Sequence, residues 1–125
     1  MVLKFLRISL FSLTTVLVMF CTSESSEINV VEIPVVISRN IESYDGFIAL
    51  GCVIKGKTLH FELISRAVTY AIMKLSITHK KPIGNGILTC LNKRQALKRL
   101  DKGAEASSAV EQVFINESML KSNKS

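Results

Sequence analysis

Apolar residues along this chain follow two patterns, one typical of buried strands and one typical of an amphipathic helix. Phe47 to Ile54 is an apolar run broken only by Gly51, and Ile83 to Thr89 is a second short run. Runs of this length between turn residues are typical of strands covered on both faces. From Leu59 to Thr78 the apolar residues recur at helical spacing. The pattern therefore predicts a strand, a long helix and a second strand.

Shorter elements flank this unit. Ile28 to Glu32 is rich in Val and Ile and predicts a strand, and Pro34 predicts the first turn of a following helix. Lys93 to Leu100 predicts a basic helical turn, and Ala104 to Met119 predicts a last helix. Strands that alternate with helices indicate an α/β domain with a parallel sheet.

Residues 1–23 differ from the rest of the chain. Lys4 and Arg7 precede an apolar run from Ile8 to Phe20, as in a secretory leader. The run is short for a transmembrane helix, and bulky residues stand where a leader has small ones before its cleavage site. Three interpretations stay open: an exported leader, a hydrophobic strand or helix of the domain, and a start with no evolved role. We place the domain at residues 24–120 and a polar tail at 121–125.

The composition is that of one globular domain. The 125 residues are 48% hydrophobic and 21% charged, which argues against disorder and against two domains. A net charge of +6 suits anionic partners, but the aromatic residues do not interleave with the basic clusters, which argues against nucleic-acid binding. Three widely spaced cysteines without a Cys-x-x-Cys pair, and only two histidines, argue against a disulfide framework and a metal site.

The candidate site follows the first buried strand. Lys55, Gly56, Lys57 and Thr58 form a short polar turn, and His60 stands at the start of the long helix. The backbone N–H groups of such a turn and of a helix N-terminus bind anions. A histidine beside them can transfer protons near neutral pH.

A second segment is expected to face the same crevice. Ligands of parallel α/β sheets bind beyond the carboxyl ends of the strands, which would bring the turn and the segment from Thr89 to Arg99 together. Such a crevice suits a substrate with a phosphate and a carbonyl group. Each residue also has a plainer interpretation: His60 as a surface or capping histidine, Thr58 as an N-cap, Asn85 as a turn residue between glycines, and Arg99 as a solvated cation.

Several motifs together resemble the 6,7-dimethyl-8-ribityllumazine synthase family. They occur in the family's order over residues 30–114. The run from Gly51 to His60, Gly-x-Val-Ile-x-Gly-x-Thr-x-His, is the most specific of them. The others are Glu32-Ile33-Pro34, Tyr44-Asp45-Gly46, the run from Pro82 to Thr89, Gln95-Ala96 and Asp101-Lys102-Gly103.

The resemblance implies a three-layer flavodoxin-like α/β sandwich with a short parallel sheet, in which the family's first strand and helix are missing or replaced. It implies the condensation of 5-amino-6-(D-ribitylamino)uracil with 3,4-dihydroxy-2-butanone 4-phosphate. The products would be 6,7-dimethyl-8-ribityllumazine, phosphate and water. This step belongs to riboflavin biosynthesis, and the family catalyses it without a metal or an organic cofactor. The resemblance also implies a cytoplasmic homo-oligomer built from pentamers, with contact to riboflavin synthase.

The same resemblance implies roles for individual residues. His60 would be the acid/base residue that helps to expel phosphate. Lys57 and Thr58 would bind that phosphate through backbone N–H groups, together with Arg99 or a different basic residue before the Asp-Lys-Gly motif. Asn85 would come from a neighbouring subunit. The remaining substrate-binding residues would be Val30, Val31, Glu32, Cys52, Val53 and Ile54.

A second interpretation of the function stays open. Family members have a strand, a helix and a second strand before the Glu-Ile-Pro motif, with an aromatic residue that stacks on the pyrimidine. No residue of segment 1–23 is assigned to that role. On this interpretation the chain is a catalytically impaired remnant or a non-enzymatic binding module, directed to a membrane by its N-terminus.

Overall fold

The computed structural model describes residues 6–10, 14–20 and 30–124 of the chain. It contains four strands, a short 3₁₀ helix and four α-helices. In chain order these are β1 (Leu6–Leu10), β2 (Thr14–Phe20), the 3₁₀ helix (Val30–Glu32), α1 (Ile33–Arg39), β3 (Gly46–Ile54), α2 (His60–His79), β4 (Ile83–Cys90), α3 (Lys93–Leu97) and α4 (Lys102–Ser122).

The strands form one sheet in the order β1-β2-β3-β4. β2, β3 and β4 are parallel, and β1 is antiparallel to β2. Phe47 lies opposite Ile83 and Ile54 opposite Cys90, so β3 and β4 are paired along the whole of β4. The parallel sheet and the predicted strand–helix–strand order of β3, α2 and β4 are confirmed.

The sheet lies between two helical layers. Phe47 and Ala49 of β3 pack in one cluster with Ile33 of α1 and Val68 of α2. Ile48, on the other face of the same strand, packs in a second cluster with α4. Because successive side chains of a strand point to opposite faces, one apolar run supplies both cores. This three-layer arrangement is the flavodoxin-like fold expected from the sequence.

The N-terminal strands correspond to one of the three interpretations of that segment, a hydrophobic strand of the domain. β2 pairs with β3 from Val16 opposite Gly46 to Phe20 opposite Leu50, so it lies along the side of β3 away from β4. Residues 1–5, 11–13 and 21–29 lie outside the described residues. Export of the segment stays a prediction. Within the described residues, no helix combines the length and the apolar character needed to cross a membrane.

One predicted element was wrong. The strand expected from Ile28 to Glu32 begins outside the described residues, and its second part is the 3₁₀ helix that leads into α1. Pro34, in the first turn of α1, fixes a helical backbone angle there. Val30, Ile33 and Ile37, three and four residues apart, are all buried in the same core cluster. A helical path buries all three, whereas a strand would send Val30 and Ile33, three residues apart, to opposite faces.

A glycine in β4 allows α4 to pack directly against the sheet. A Cβ on Gly84 would overlap the backbone carbonyl of Ala106, and Val110 of the same helix is also adjacent. Backbone atoms cannot move aside as a flexible side chain can. Gly56, in contrast, has nothing within 4 Å of the position that a Cβ would take.

We expect Gly84→Ala to lower the free energy of unfolding by about 2 kcal/mol or more, because the added methyl group overpacks the contact between β4 and α4. Urea denaturation followed by circular dichroism measures the loss. Gly56→Ala is the matched control and should leave the midpoint nearly unchanged. Equal midpoints for the two variants would show that α4 does not pack closely on β4.

Candidate functional site

The carboxyl ends of β3 and β4 lie side by side at one edge of the sheet. Ile54 is opposite Cys90, and the Lys55 N–H donates a hydrogen bond of 2.9 Å to the Cys90 carbonyl. The chain then leaves β3 through the loop to α2 and leaves β4 through the connection to α3. The two segments that were expected to bind a ligand therefore start from neighbouring points.

The loop from Lys55 to Leu59 is exposed along its whole length, as is His60. The open space around Gly56 means that no packing inside the chain requires a glycine there. An exposed loop with an unobstructed backbone at the carboxyl edge of a sheet is the geometry that lets an anion approach main-chain N–H groups.

His60 is the first residue of α2, and its backbone N–H donates to the Thr58 Oγ1 at 3.4 Å. The predicted N-cap is thus displaced by one residue. Leu59 occupies the N-cap position and makes no side-chain hydrogen bond there. Thr58, the residue before this N-cap, accepts the hydrogen bond from one backbone N–H of the helix instead. The His60 imidazole makes no hydrogen bond or ion pair within the described residues, so it is not a capping group.

A basic cavity of about 520 Å³ lies beside the carboxyl half of β4. Its walls come from the strand, from the α3–α4 connection and from the first turn of α4: Ile87, Leu88, Thr89, Lys98, Arg99, Asp101, Lys102 and Glu105. The Lys102 Nζ lies 3.2 Å from the Glu105 Oε2, but both side chains are largely exposed and such a pair contributes little to stability. Among the described residues, Lys98 and Arg99 form no ion pair, which leaves two cations for an anionic ligand.

The structure does not gather all the predicted residues in this cavity. Arg99 lines it, whereas His60, Lys57 and Thr58 do not. Within one copy of the chain, the basic cavity lies beside the edge strand β4 and the His60 loop follows the neighbouring strand β3. The described residues of one copy therefore do not show the predicted residues lining a single cavity.

Asn85 lies in β4 opposite Ala49, well before the carboxyl end. Its Oδ1 accepts a hydrogen bond of 3.1 Å from the Ile87 N–H. In a parallel pair, alternate residues direct both backbone polar groups to the partner strand. The Pro82 and Cys90 carbonyls bond to β3, so the backbone groups of Ile87 face the free edge. The Asn85 side chain thus covers part of that edge.

The predicted substrate-binding residues before β3 differ in accessibility. Val30 is only 3% exposed and belongs to the core cluster, so a substrate could meet only its backbone. Val31 is exposed and Glu32 is half-buried at the start of α1. These two side chains remain available to a ligand.

The carboxyl half of β3 is progressively uncovered. Ala49 is buried, Cys52 and Val53 are half-buried, and Ile54 is exposed. Cys52 and Ile54 lie on one face of the strand, and Val53 lies on the other face, against the first core cluster, so a flat ligand ring can contact the side chains of one face at a time. Burial raises the pKa of the Cys52 thiol above its ordinary value, and the neighbouring Cys90 raises it further.

Lys98 and Lys102 are cavity residues that the sequence did not single out. Lys102 lies within the Asp-Lys-Gly motif, and α4 begins at this lysine. The position of Lys102, a basic residue at the start of a helix after a strand end, is the feature of the sequence that could have identified it as a cavity residue. Within the described residues, no three His, Cys, Asp or Glu side chains cluster as a metal site requires.

The fold and the site define a class of protein: a flavodoxin-like α/β domain with basic side chains around a cavity at the edge of its sheet. The chain belongs to the 6,7-dimethyl-8-ribityllumazine synthase family, because a model of that family matches residues 28–116. This range includes the His60 loop, both core strands and the basic cavity.

Several curated relatives carry the name 6,7-dimethyl-8-ribityllumazine synthase. A protein of Corynebacterium kroppenstedtii is 43% identical over 89 residues, which cover 66% of this chain and 56% of the relative. A Mycobacterium avium protein is 43% identical, covering 63% of this chain and 54% of the relative. A Rhodopseudomonas palustris protein, named 6,7-dimethyl-8-ribityllumazine synthase 1, is 42% identical, covering 62% of this chain and 55% of the relative. The chain thus spans about half the length of the curated relatives it matches.

The raised pKa of Cys52 gives a prediction for thiol reactivity. Since the thiolate is the nucleophile, alkylation of Cys52 by iodoacetamide should reach half its maximal rate at a higher pH than alkylation of a free cysteine. Cys90→Ala should lower that midpoint, although not to the free value, because burial is the larger cause. Peptide mass mapping after timed alkylation separates Cys52 from the other cysteines. A midpoint at or below the free value would contradict the burial of this thiol.

Proposed function

We propose that the chain condenses 5-amino-6-(D-ribitylamino)uracil with 3,4-dihydroxy-2-butanone 4-phosphate to give 6,7-dimethyl-8-ribityllumazine, phosphate and water. The observation that carries the proposal is the exposed loop from Lys55 to Leu59 with His60 directly after it. This loop joins an open backbone for the phosphate to an unpaired imidazole for the proton transfers. The names of the relatives support the same reaction.

The phosphate would bind at the loop between β3 and α2. Residues 56–58 are exposed, a Cβ on Gly56 would meet nothing within 4 Å, and Lys57 adds a positive charge. Arg99 would supply a planar guanidinium, which can form paired hydrogen bonds with phosphate oxygens. Its lack of an ion pair within the described residues supports this role.

His60 would move the protons that the reaction requires. The reaction is expected to pass through an imine, lose phosphate and close the ring. Loss of phosphate is assisted when a nearby acid protonates the leaving oxygen. An exposed imidazole next to the phosphate loop can take this role near neutral pH.

The ribitylaminouracil would lie against the uncovered end of β3. Apolar contacts would come from Cys52, Val53 and Ile54. Val31 would add another apolar side chain, and Glu32 would add a polar one. Val30 would contribute through its backbone. Asn85 would be supplied by a neighbouring subunit, and its two amide N–H donors would be available for that contact.

The absence of His60 from the lining of the basic cavity supports a homo-oligomer. In a single copy, the basic cavity is lined by Arg99 and not by His60, and a complete site could form where the cavity of one copy faces the loop of another. We propose a cytoplasmic assembly built from pentamers, with riboflavin synthase as a further partner. Substrates are small molecules, and no metal or organic cofactor takes part in the proposed steps.

Replacing His60 by alanine should lower the rate of lumazine formation by about 100-fold or more, which is the usual contribution of a positioned acid/base residue. Product is measured by its fluorescence and corrected for the spontaneous reaction. His79→Ala is the matched control, because His79 ends the same helix at the opposite end of the sheet. A wild-type rate no higher than the spontaneous reaction would overturn the proposed function.

Gly56→Ala tests the phosphate loop separately from the fold. The methyl group points into open space, so stability should not change, but it should hold the phosphate away from the backbone N–H groups. Misplacement by about 1 Å can cost 10- to 100-fold in rate, so we expect kcat/KM for the phosphorylated substrate to fall by about that factor. An unchanged kcat/KM would remove Gly56 from the proposed phosphate site.

A second candidate function is a binding module without catalytic activity. It is favoured by the basic cavity, which is complete within one copy. Calorimetry with inorganic phosphate, combined with the product assay, separates the two functions. Binding that Arg99→Ala abolishes, without product above the spontaneous level, would support the binding module.

A further inference from the structure

Cys52 and Cys90 lie on one face of the sheet, at the carboxyl ends of two neighbouring strands. Cys52 of β3 is opposite Leu88, and Cys90 of β4 is opposite Ile54. Residues that are paired across two strands share a face, and so do residues two positions apart on one strand. The two cysteines are therefore diagonal neighbours on the same face. Both are free of disulfide bonds.

The two sulfur atoms are close enough to interact electrostatically. Burial raises the pKa of the Cys52 thiol, and the charge of Cys90 raises this pKa further. Because the interaction between two charges falls off with distance, such an effect requires the two groups to be near each other. Loss of both thiol protons thus places two negative charges side by side. A cation bound between them would stabilise both thiolates.

The spacing of the two cysteines is too wide for a disulfide. Neighbouring strands about 4.8 Å apart, with a rise of about 3.3 Å per residue, give a Cα–Cα separation of about 8 Å for diagonal neighbours. A disulfide without backbone movement requires a separation of about 7 Å or less. A metal ion between two sulfur atoms separates them by up to about 4.6 Å, which is twice a metal–sulfur bond of about 2.3 Å. Two side chains that stand on one face can span this gap.

The number and the type of the ligands select a soft ion. Zn²⁺ in structural sites takes four ligands, and among the described residues no group of three His, Cys, Asp or Glu side chains is present to approach that number. Thiolates alone select Cu(I), which two sulfur atoms can bind in a linear arrangement. Cys52 is half-buried at the uncovered end of β3, whereas Cys90 is only 1% exposed. An ion would therefore enter past Cys52 and reach a ligand that is shielded from water.

We propose that Cys52 and Cys90 form a two-coordinate site for Cu(I) at the carboxyl edge of the sheet. Binding forms two copper–sulfur bonds and releases both thiol protons to solvent, and neither copper nor sulfur changes its oxidation state. The ion takes no part in the proposed condensation, and its binding does not depend on that reaction. Because Cys52 is also expected to contact the ribitylaminouracil, the ion would occupy one face of the strand end that this substrate uses.

The test titrates the reduced full chain with Cu(I), without oxygen or substrate, in competition with a coloured Cu(I) chelator. Native mass spectrometry should show one ion per 13.8 kDa chain. Cys52→Ala and, independently, Cys90→Ala should each weaken binding by about 100-fold or more, because loss of a ligand costs at least as much as loss of a residue that orients one. Cys21→Ala is the matched control and should keep the wild-type affinity. Circular dichroism verifies that each variant is folded.

Proton release and metal selectivity test the same site in a second way. In weakly buffered solution at pH 7, each bound Cu(I) should release about two protons, because both ligands bind as thiolates. Zn²⁺ should bind far more weakly, and neither substitution should change its affinity. A wild type that binds Cu(I) no more tightly than Cys52→Ala, a folded Cys90→Ala variant of unchanged affinity, or loss of binding in Cys21→Ala would each overturn the proposal. Tight Cu(I) binding without lumazine formation would overturn the proposed reaction and support this site.

Discussion

The parallel pairing of β3 with β4 is the interaction on which the rest of the structure depends. It runs along the whole of β4 and ends with the hydrogen bond from Lys55 to Cys90. Because both strands end at the same height, the His60 loop and the basic cavity start from neighbouring points. Helices cover both faces of β3 in this sheet, so that a single apolar strand joins the layer of α1 and α2 to the layer of α4. A shift in the register would separate the two binding surfaces and turn core side chains toward solvent.

α2 connects the core of the chain to its candidate site. Ile64, Val68 and Ile72 are part of the core, and the first residue of the helix is His60. Single substitutions on α2 can separate stability from the proposed chemistry, because Val68 lies on the buried side of the helix and His60 lies at its exposed end.

Much of the fold could be predicted from the sequence. β3, α2 and β4 were predicted because their apolar periods are long and unambiguous, and Gly51 to His60 identified the loop. The segment Val30 to Glu32 could not be assigned correctly, because Val-rich composition favours a strand and the burial of Ile33 and Ile37 decides for a helical path. Local propensity was weaker here than the tertiary contacts.

The individual residues of the candidate site could be predicted from the sequence, but their arrangement in space could not. His60, Lys57 and Thr58 follow from their position after a strand, and Arg99 follows from the basic segment after the next one. The cavity itself depends on how the α3–α4 connection folds back beside β4, which brings Lys98 and Lys102 next to Arg99. No periodic pattern in the sequence predicts the path of the α3–α4 connection. That Arg99 lines this cavity and His60 does not is likewise visible only in the packed structure.

The hydrogen bond from the Ile87 N–H to the Asn85 side chain has a consequence for the newly synthesised chain. β4 is an edge strand, and unpaired N–H groups along an edge can template the addition of strands from other molecules. With Asn85 bound to it, this part of the edge is occupied by the chain's own amide oxygen. A copy that has not yet met its partners is thereby less prone to aggregate through this edge, so the residue expected to serve a neighbour also protects the isolated chain.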